Sequence, residues 1–383
     1  MVFMKNDIKY SPLPHLESAN SGKIILDGKE VINLSSNNYL GLVNHPDVID
    51  AAISAIKKYG VGAASARNII GNFDLYDELE NALAEFKGEE AAVVFQGGYL
   101  TNLGLIPQIA QKEDLVLSDE LNHASIIDGI RMCKADKKVY KHMDMEDLEK
   151  ILKENRSKYK NVLITTDTVF SMDGDIAPLD KIVQIAKQYD ALTYFDDAHG
   201  TGVMGKNGKG TVDEFGLTGQ VDFTVATISK AIPSVGGYVV GNRAMREWII
   251  RNARPILFST CIPPSSLAAA IKMVEMISSS SKYVDQLWEN TDYFKKKLKE
   301  KNVDIGNSKT PITPVIIGEE DRTRKFSKDL LEKGILASPI VFPVVPRGKG
   351  RVRCIITAGH TKEELDYCID TIVNLYQSYR NKD

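Results

Sequence analysis

The feature that most restricts this chain is an alternation of short apolar runs, each of strand length, with amphipathic stretches of helical period. The runs at 91–95, 114–117, 162–166, 192–195, 223–227 and 237–240 read as buried strands. Between them lie helical patterns such as Leu75, Leu79, Leu83 and Phe86, or Leu179, Ile182, Val183, Ile185 and Ala186. Strands separated by helices must be joined by crossovers, so the sequence predicts an α/β fold with a mostly parallel sheet covered on both faces. Ligands of such sheets bind where strands end and loops begin. Beyond about residue 245 the pattern changes to a long helical region (267–301), two apolar runs (313–317 and 352–357) and a final helix from 362 to about 379. Pro255, Pro263 and Pro264 interrupt helical continuity at the change. The division predicted is an N-terminal segment 1–45, a large domain 46–255 and a smaller α+β domain 256–383.

Composition narrows the function classes. The 383 residues are 43% hydrophobic and 26% charged, the range of ordinary globular chains. Lys plus Arg total 48 against 51 Asp plus Glu, a net charge of −3, so no nucleic-acid partner is expected, although a local anion pocket remains open. The apolar runs fall far short of the ~20 residues that span a bilayer, so no membrane role is expected. The first sixteen residues hold Lys5, Asp7 and Lys9 and lack a leader's apolar core, which makes cytoplasmic the expected location. Cys133, Cys261, Cys354 and Cys368 form no C-x-x-C pair and read as reduced, with neither disulfide framework nor zinc site.

Four segments could carry chemistry. Lys230 follows the run 223–227 and precedes the small-residue loop Ser234-Val235-Gly236-Gly237. A partly desolvated lysine loses its proton readily enough to form an imine with an aldehyde, although most strand-end lysines are simply solvated. Asp196 and His199, in Asp196-Asp197-Ala198-His199-Gly200, suit a carboxylate that keeps a ring nitrogen protonated and a donor to a ring oxygen. They equally suit a loop anchor and a satisfied histidine; a metal site there would lack further ligands. His123 opens a helical stretch and could stack on a flat ring or be a buried, hydrogen-bonded histidine. Gln96-Gly97-Gly98-Tyr99 is a tight turn into a helix, where backbone N–H groups can meet a phosphate.

Taken together and in this order, the four segments resemble the α-oxoamine synthases, pyridoxal 5'-phosphate (PLP) enzymes of the aspartate-aminotransferase fold (fold type I) that condense an amino acid with an acyl-CoA. The resemblance extends to Asn33-Leu34-Ser35-Ser36-Asn37-Asn38-Tyr39-Leu40-Gly41-Leu42, to Val169-Phe170-Ser171-Met172-Asp173-Gly174-Asp175 and to Arg351-Val352-Arg353, and covers nearly the whole chain. It implies that Lys230 holds PLP and later acts as the base at the substrate Cα. It implies that Asp196 pairs with the ring nitrogen, His199 and Ser171 contact the phenolic oxygen side, and His123 stacks on the ring and hydrogen-bonds the developing oxyanion. Gly98, Tyr99 and Thr227 are then phosphate contacts, joined by Ser259 and Thr260 of a neighbouring subunit, so a homodimer is implied. Asn38 and Arg353 resemble the residues that hold the amino-acid carboxylate.

Within the family, two features imply glycine and acetyl-CoA as substrates, the reaction of glycine C-acetyltransferase. No arginine precedes Arg67, and Pro343-Val344-Val345-Pro346 stands where the oxononanoate synthases have Pro-Thr-Val-Pro. The alternative is the reaction of those synthases, decarboxylating condensation of L-alanine with a pimeloyl thioester. An aminotransferase or a catalytically silent relative is a further alternative. The chain departs from the family pattern at Asp167-Thr168, Ile228, Ile232-Pro233, Gly71-Asn72 and Tyr76, none of which removes a residue of the implied chemistry.

Overall fold

A computed structural model describes residues 13–380; most of the stretch read above for a leader lies outside them. The first regular element is a hairpin of β1 (Lys23–Leu26) and β2 (Lys29–Asn33). Its two-residue turn, Asp27-Gly28, has φ of 47° and 74°, the double positive φ that matches the twist of paired strands.

Seven strands then build the central sheet: β3 (Ala91–Phe95), β4 (Leu115–Asp119), β5 (Asp136–Tyr140), β6 (Val162–Asp167), β7 (Leu192–Asp196), β8 (Phe223–Thr227) and β9 (Gly237–Gly241). Their order is β3-β9-β8-β7-β6-β4-β5, and only the pairings of β9, with β3 and with β8, are antiparallel. Every residue of β3, β4 and β6 is buried, as expected where helices cover both faces. Strand β5 was not foreseen: its sequence, Asp-Lys-Lys-Val-Tyr, suits an exposed edge, and four of its five residues are exposed.

The remaining strands are β10 (Ile312–Gly318), β11 (Ile335–Leu336), β12 (Ser338–Ile340) and β13 (Gly350–Ile355). They form an antiparallel sheet β10-β13-β12, while β11 joins the N-terminal hairpin by pairing parallel to β2. Ile32 and Leu34 accordingly share a core with Phe294, Phe326, Val352 and Ile372. The helical region predicted over 267–301 is two helices, Pro264–Ser279 and Lys282–Glu300, parted where Ser280 turns to extended backbone. The first packs Leu267, Ile271 and Val274 onto Tyr76, Leu79 and Leu83 of the helix Asp74–Lys87. No helix among the described residues is long and apolar enough to cross a membrane.

Candidate active site

The parallel strands end on one edge of the sheet, and β4, β6, β7 and β8 finish there in Asp119, Asp167, Asp196 and Thr227. A cavity of about 300 Å³ opens at this edge. Eight residues singled out from the sequence line it: Gly98, Tyr99, His123, Ser171, Asp196, His199, Thr227 and Lys230.

At one end of the cavity the helix Gly98–Ile109 begins. Its first amides have no intrahelical acceptors and its dipole favours an anion. A Cβ on Gly98 would lie 2.8 Å from the Thr227 Cβ, so glycine lets the helix end sit directly against β8. Thr227 Oγ1 lies 2.6 Å from Ser229 Oγ and donates to the Gly236 carbonyl at 3.1 Å, which fixes the hydroxyl beside that end.

The adjacent aspartates have separate fates. Asp196 faces the cavity, accepting from Asn102 Nδ2 at 2.7 Å and from the Ala198 amide at 3.0 Å. Asn102, buried on the Gly98–Ile109 helix, also donates to Ser125 Oγ (2.8 Å) and accepts from the Tyr194 hydroxyl (2.7 Å). Asp197 turns away and accepts from Lys87 Nζ (2.8 Å), the hydroxyls of Thr168 (2.8 Å) and Thr201 (3.0 Å), and the Thr211 amide (3.0 Å).

Burial governs the protonation of the lining groups. It lowers the proton affinity of the Lys230 amine, against the opposing charges of Asp196 and Asp167. Such a lysine is closer to the free amine that imine chemistry requires. Burial also pushes His199 well down, with Lys230 and Arg353 adding to the effect, so the ring is neutral; its Nδ1 lies 2.8 Å from the Tyr39 hydroxyl. His123 is lowered by burial, partly offset by Asp196. Its Nδ1 meets Ser125 Oγ at 2.7 Å, and its backbone amide donates to Asp167 Oδ2 at 2.6 Å. Asp167 stands in register with Asp196 on the next strand, and burial, then the Asp196 charge, raise its carboxyl well above the usual range.

Arg353, on β13 of the other sheet, does not itself line the cavity but donates through Nη1 to the carbonyl of Ser171, which does, at 3.1 Å. Its Nε is buried without a partner, and among the described residues no carboxylate pairs with it. This guanidinium is available for an incoming carboxylate. Asn38 is not: its Oδ1 accepts from the Leu42 amide (3.1 Å) and its Nδ2 donates to the Asn20 carbonyl (3.2 Å). The unengaged amide of that turn belongs to Asn37, whose buried Oδ1 has no partner. The sequence reading chose Asn38 of the pair; the hydrogen bonds of the turn engage that side chain with Leu42 and Asn20 instead. Ser259 and Thr260 do not line the cavity of their own chain. Asn102 was not singled out from the sequence, and Ser125, Asp167 and Tyr39 were given no role there, because single polar residues on helices, strand ends and turns carry no local signature.

An amine of lowered proton affinity, a carboxylate fixed from behind, a helix N-terminus and a guanidinium without a carboxylate partner would suit the aldehyde, ring nitrogen and phosphate of PLP and the carboxylate of an amino acid. The family model for aminotransferase class I and II matches residues 29–372. The chain belongs to this family. Within it, this aminotransferase-family chain is 57% identical over 374 residues to the 8-amino-7-oxononanoate synthase of Alkaliphilus metalliredigens, covering 98% of the chain and 95% of the relative. It superposes with a TM-score of 0.92 and 32% identity on a serine palmitoyltransferase variant from S. paucimobilis with a bound PLP–myriocin aldimine, over 96% of this chain and 93% of that one. The 8-amino-7-oxononanoate synthase of Francisella tularensis matches with a TM-score of 0.78 and 26% identity, over 91% and 98%. The chain is therefore a PLP-dependent α-oxoamine synthase of fold type I.

Proposed function

We propose that this enzyme condenses L-alanine with a pimeloyl thioester, releasing carbon dioxide and the thiol, to give 8-amino-7-oxononanoate. The observation that supports the reading is the name shared by relatives 49–57% identical over at least 96% of the chain. Those names stand against the expected glycine C-acetyltransferase. The motif that suggested a short acyl group lies away from the cavity: Val344 is 58% exposed and does not line it. Arg67, the first arginine, is tied to Glu80 at 2.5 Å in the interior.

The chemistry that PLP supplies when bound is electron withdrawal from the amino-acid Cα. Lys230 holds the cofactor and, once released, moves the Cα proton. Asp196, oriented by Asn102, keeps the ring nitrogen protonated, and neutral His199, seated on Tyr39, lies with Ser171 at the oxygen side. His123 covers the ring and donates to the oxyanion that develops on the thioester carbonyl. The amides of Gly98 and Tyr99 and the Thr227 hydroxyl hold the phosphate, with Ser259 and Thr260 supplied by a second copy in a homodimer. Arg353 exchanges the Ser171 carbonyl for the alanine carboxylate, which it can bind through two nitrogens.

The test is thiol release by the PLP-loaded protein, with L-alanine, glycine and L-serine crossed against pimeloyl-, acetyl- and palmitoyl-CoA. Preference for alanine with pimeloyl-CoA is expected; glycine with acetyl-CoA would restore the acetyltransferase reading. Lys230→Ala should abolish the borohydride-reducible visible band and turnover while far-UV circular dichroism stays unchanged.

A further inference from the structure

Behind the cavity, His142 bridges two carboxylates. Its Nδ1 lies 2.9 Å from Asp119 Oδ1 and its Nε2 lies 2.8 Å from Asp175 Oδ2. Ionised carboxylates only accept, so both ring nitrogens must donate and the ring is an imidazolium. The Phe170 ring meets it edge-on at 4.4 Å. None of Asp119, His142 and Asp175 lines the cavity.

Each carboxylate ends a short path to a group that does. Asp119 closes β4 and caps the turn to His123, accepting also from the Leu121 amide (2.9 Å). Asp175 closes the loop that carries Ser171: its carbonyl accepts from the Phe170 amide (3.1 Å), and Gly174 N donates to the Phe170 carbonyl (2.8 Å). On its far flank this loop is held by Arg353 at Ser171 O and by Lys309 N at Gly174 O (3.0 Å). His142 ties its near flank to the His123 turn.

We propose that His142 is a positioning residue: clamped between Asp119 and Asp175, it sets the spacing of the His123 turn and the Ser171 loop, and with it the slot that receives the PLP ring. The inference rests on the cofactor assignment of the cavity and is independent of the acyl donor.

The test compares His142→Gln and Asp175→Asn with wild type, well below each melting temperature. A glutamine amide serves one carboxylate at a time, so PLP affinity should fall about tenfold, the scale of one lost charge-assisted bond, and the visible band and its pH titration should shift. The double variant should lose no more than the worse single one. Wild-type affinity and spectrum in both variants, even with lowered melting temperature, would overturn the clamp, as would additive losses. If His142→Gln fails to fold, Asp175→Asn decides the matter. A wild-type protein that took up no PLP would overturn the cofactor assignment and the clamp together.

Discussion

Lys87→Met should separate stability from chemistry. Lys87 ends the helix Asp74–Lys87, and its amine is buried against Asp197, with side-chain exposures of 4% and 0%. Methionine keeps most of the apolar stem and removes only the charge and its bonds to Asp197 and Thr201. Breaking a buried pair by deleting one partner costs about 3–5 kcal/mol, because the survivor keeps an uncompensated charge. Here the survivor still accepts from Thr168, Thr201 and the Thr211 amide. That places the expected loss near the lower bound, about 3 kcal/mol. Urea unfolding followed by far-UV circular dichroism measures it. PLP uptake should be retained, since Asp196 takes its own bonds from Asn102 and Ala198. A loss below about 1 kcal/mol, the worth of an exposed pair, would refute the claim that Asp197 depends on Lys87.

Three further outcomes are expected. Gly98→Ala drives a methyl group into Thr227 and should cut PLP affinity sharply in a fluorescence titration; unaltered affinity would mean that the helix end can shift freely. Arg353→Lys gives up the planar fork and should raise KM for the amino acid about tenfold with little change in KM for the thioester. His142, raised from 6.5 to about 10 by Asp119 and Asp175 against its burial, contributes stability that is complete below pH 6.5 and is lost as pH rises through about 10. The melting temperature of the wild type should fall over that window and that of His142→Gln should not; parallel curves would rule this out.

Much of the central sheet was legible because its strands are buried on both faces and read as unbroken apolar runs. What escaped follows from the same physics. Strand β5 is an edge with charged residues facing water, so it carries no apolar run. The hairpin was signalled by Asp27-Gly28 between Ile24-Ile25-Leu26 and Val31-Ile32, a turn signature that the strand-helix alternation, which begins further along the chain, did not bring out. The break at Ser280 has no proline or glycine to mark it, only a run of serines. In the site, Lys230, Asp196, His199 and His123 were visible because each follows a strand. Asn102 was not, because its contacts cross from a helix to strands, and Asp167, which ends β6 as Asp196 ends β7, stood out only as a departure from the family pattern. The acetyl-CoA reading rested on a loop whose exposed Val344 does not line the cavity, and the relatives' names favour the alternative.

The parallel pairing of β2 with β11 also orders events during synthesis. Residues 32 and 33 find their partners in 335 and 336, and the Leu34 carbonyl accepts from the Ile355 amide at 2.8 Å. At about 5–20 residues per second, the turn that brings Tyr39 to His199 waits roughly 15 seconds to a minute for the chain that seats it. A nascent chain can therefore complete its central sheet and still lack a finished catalytic centre.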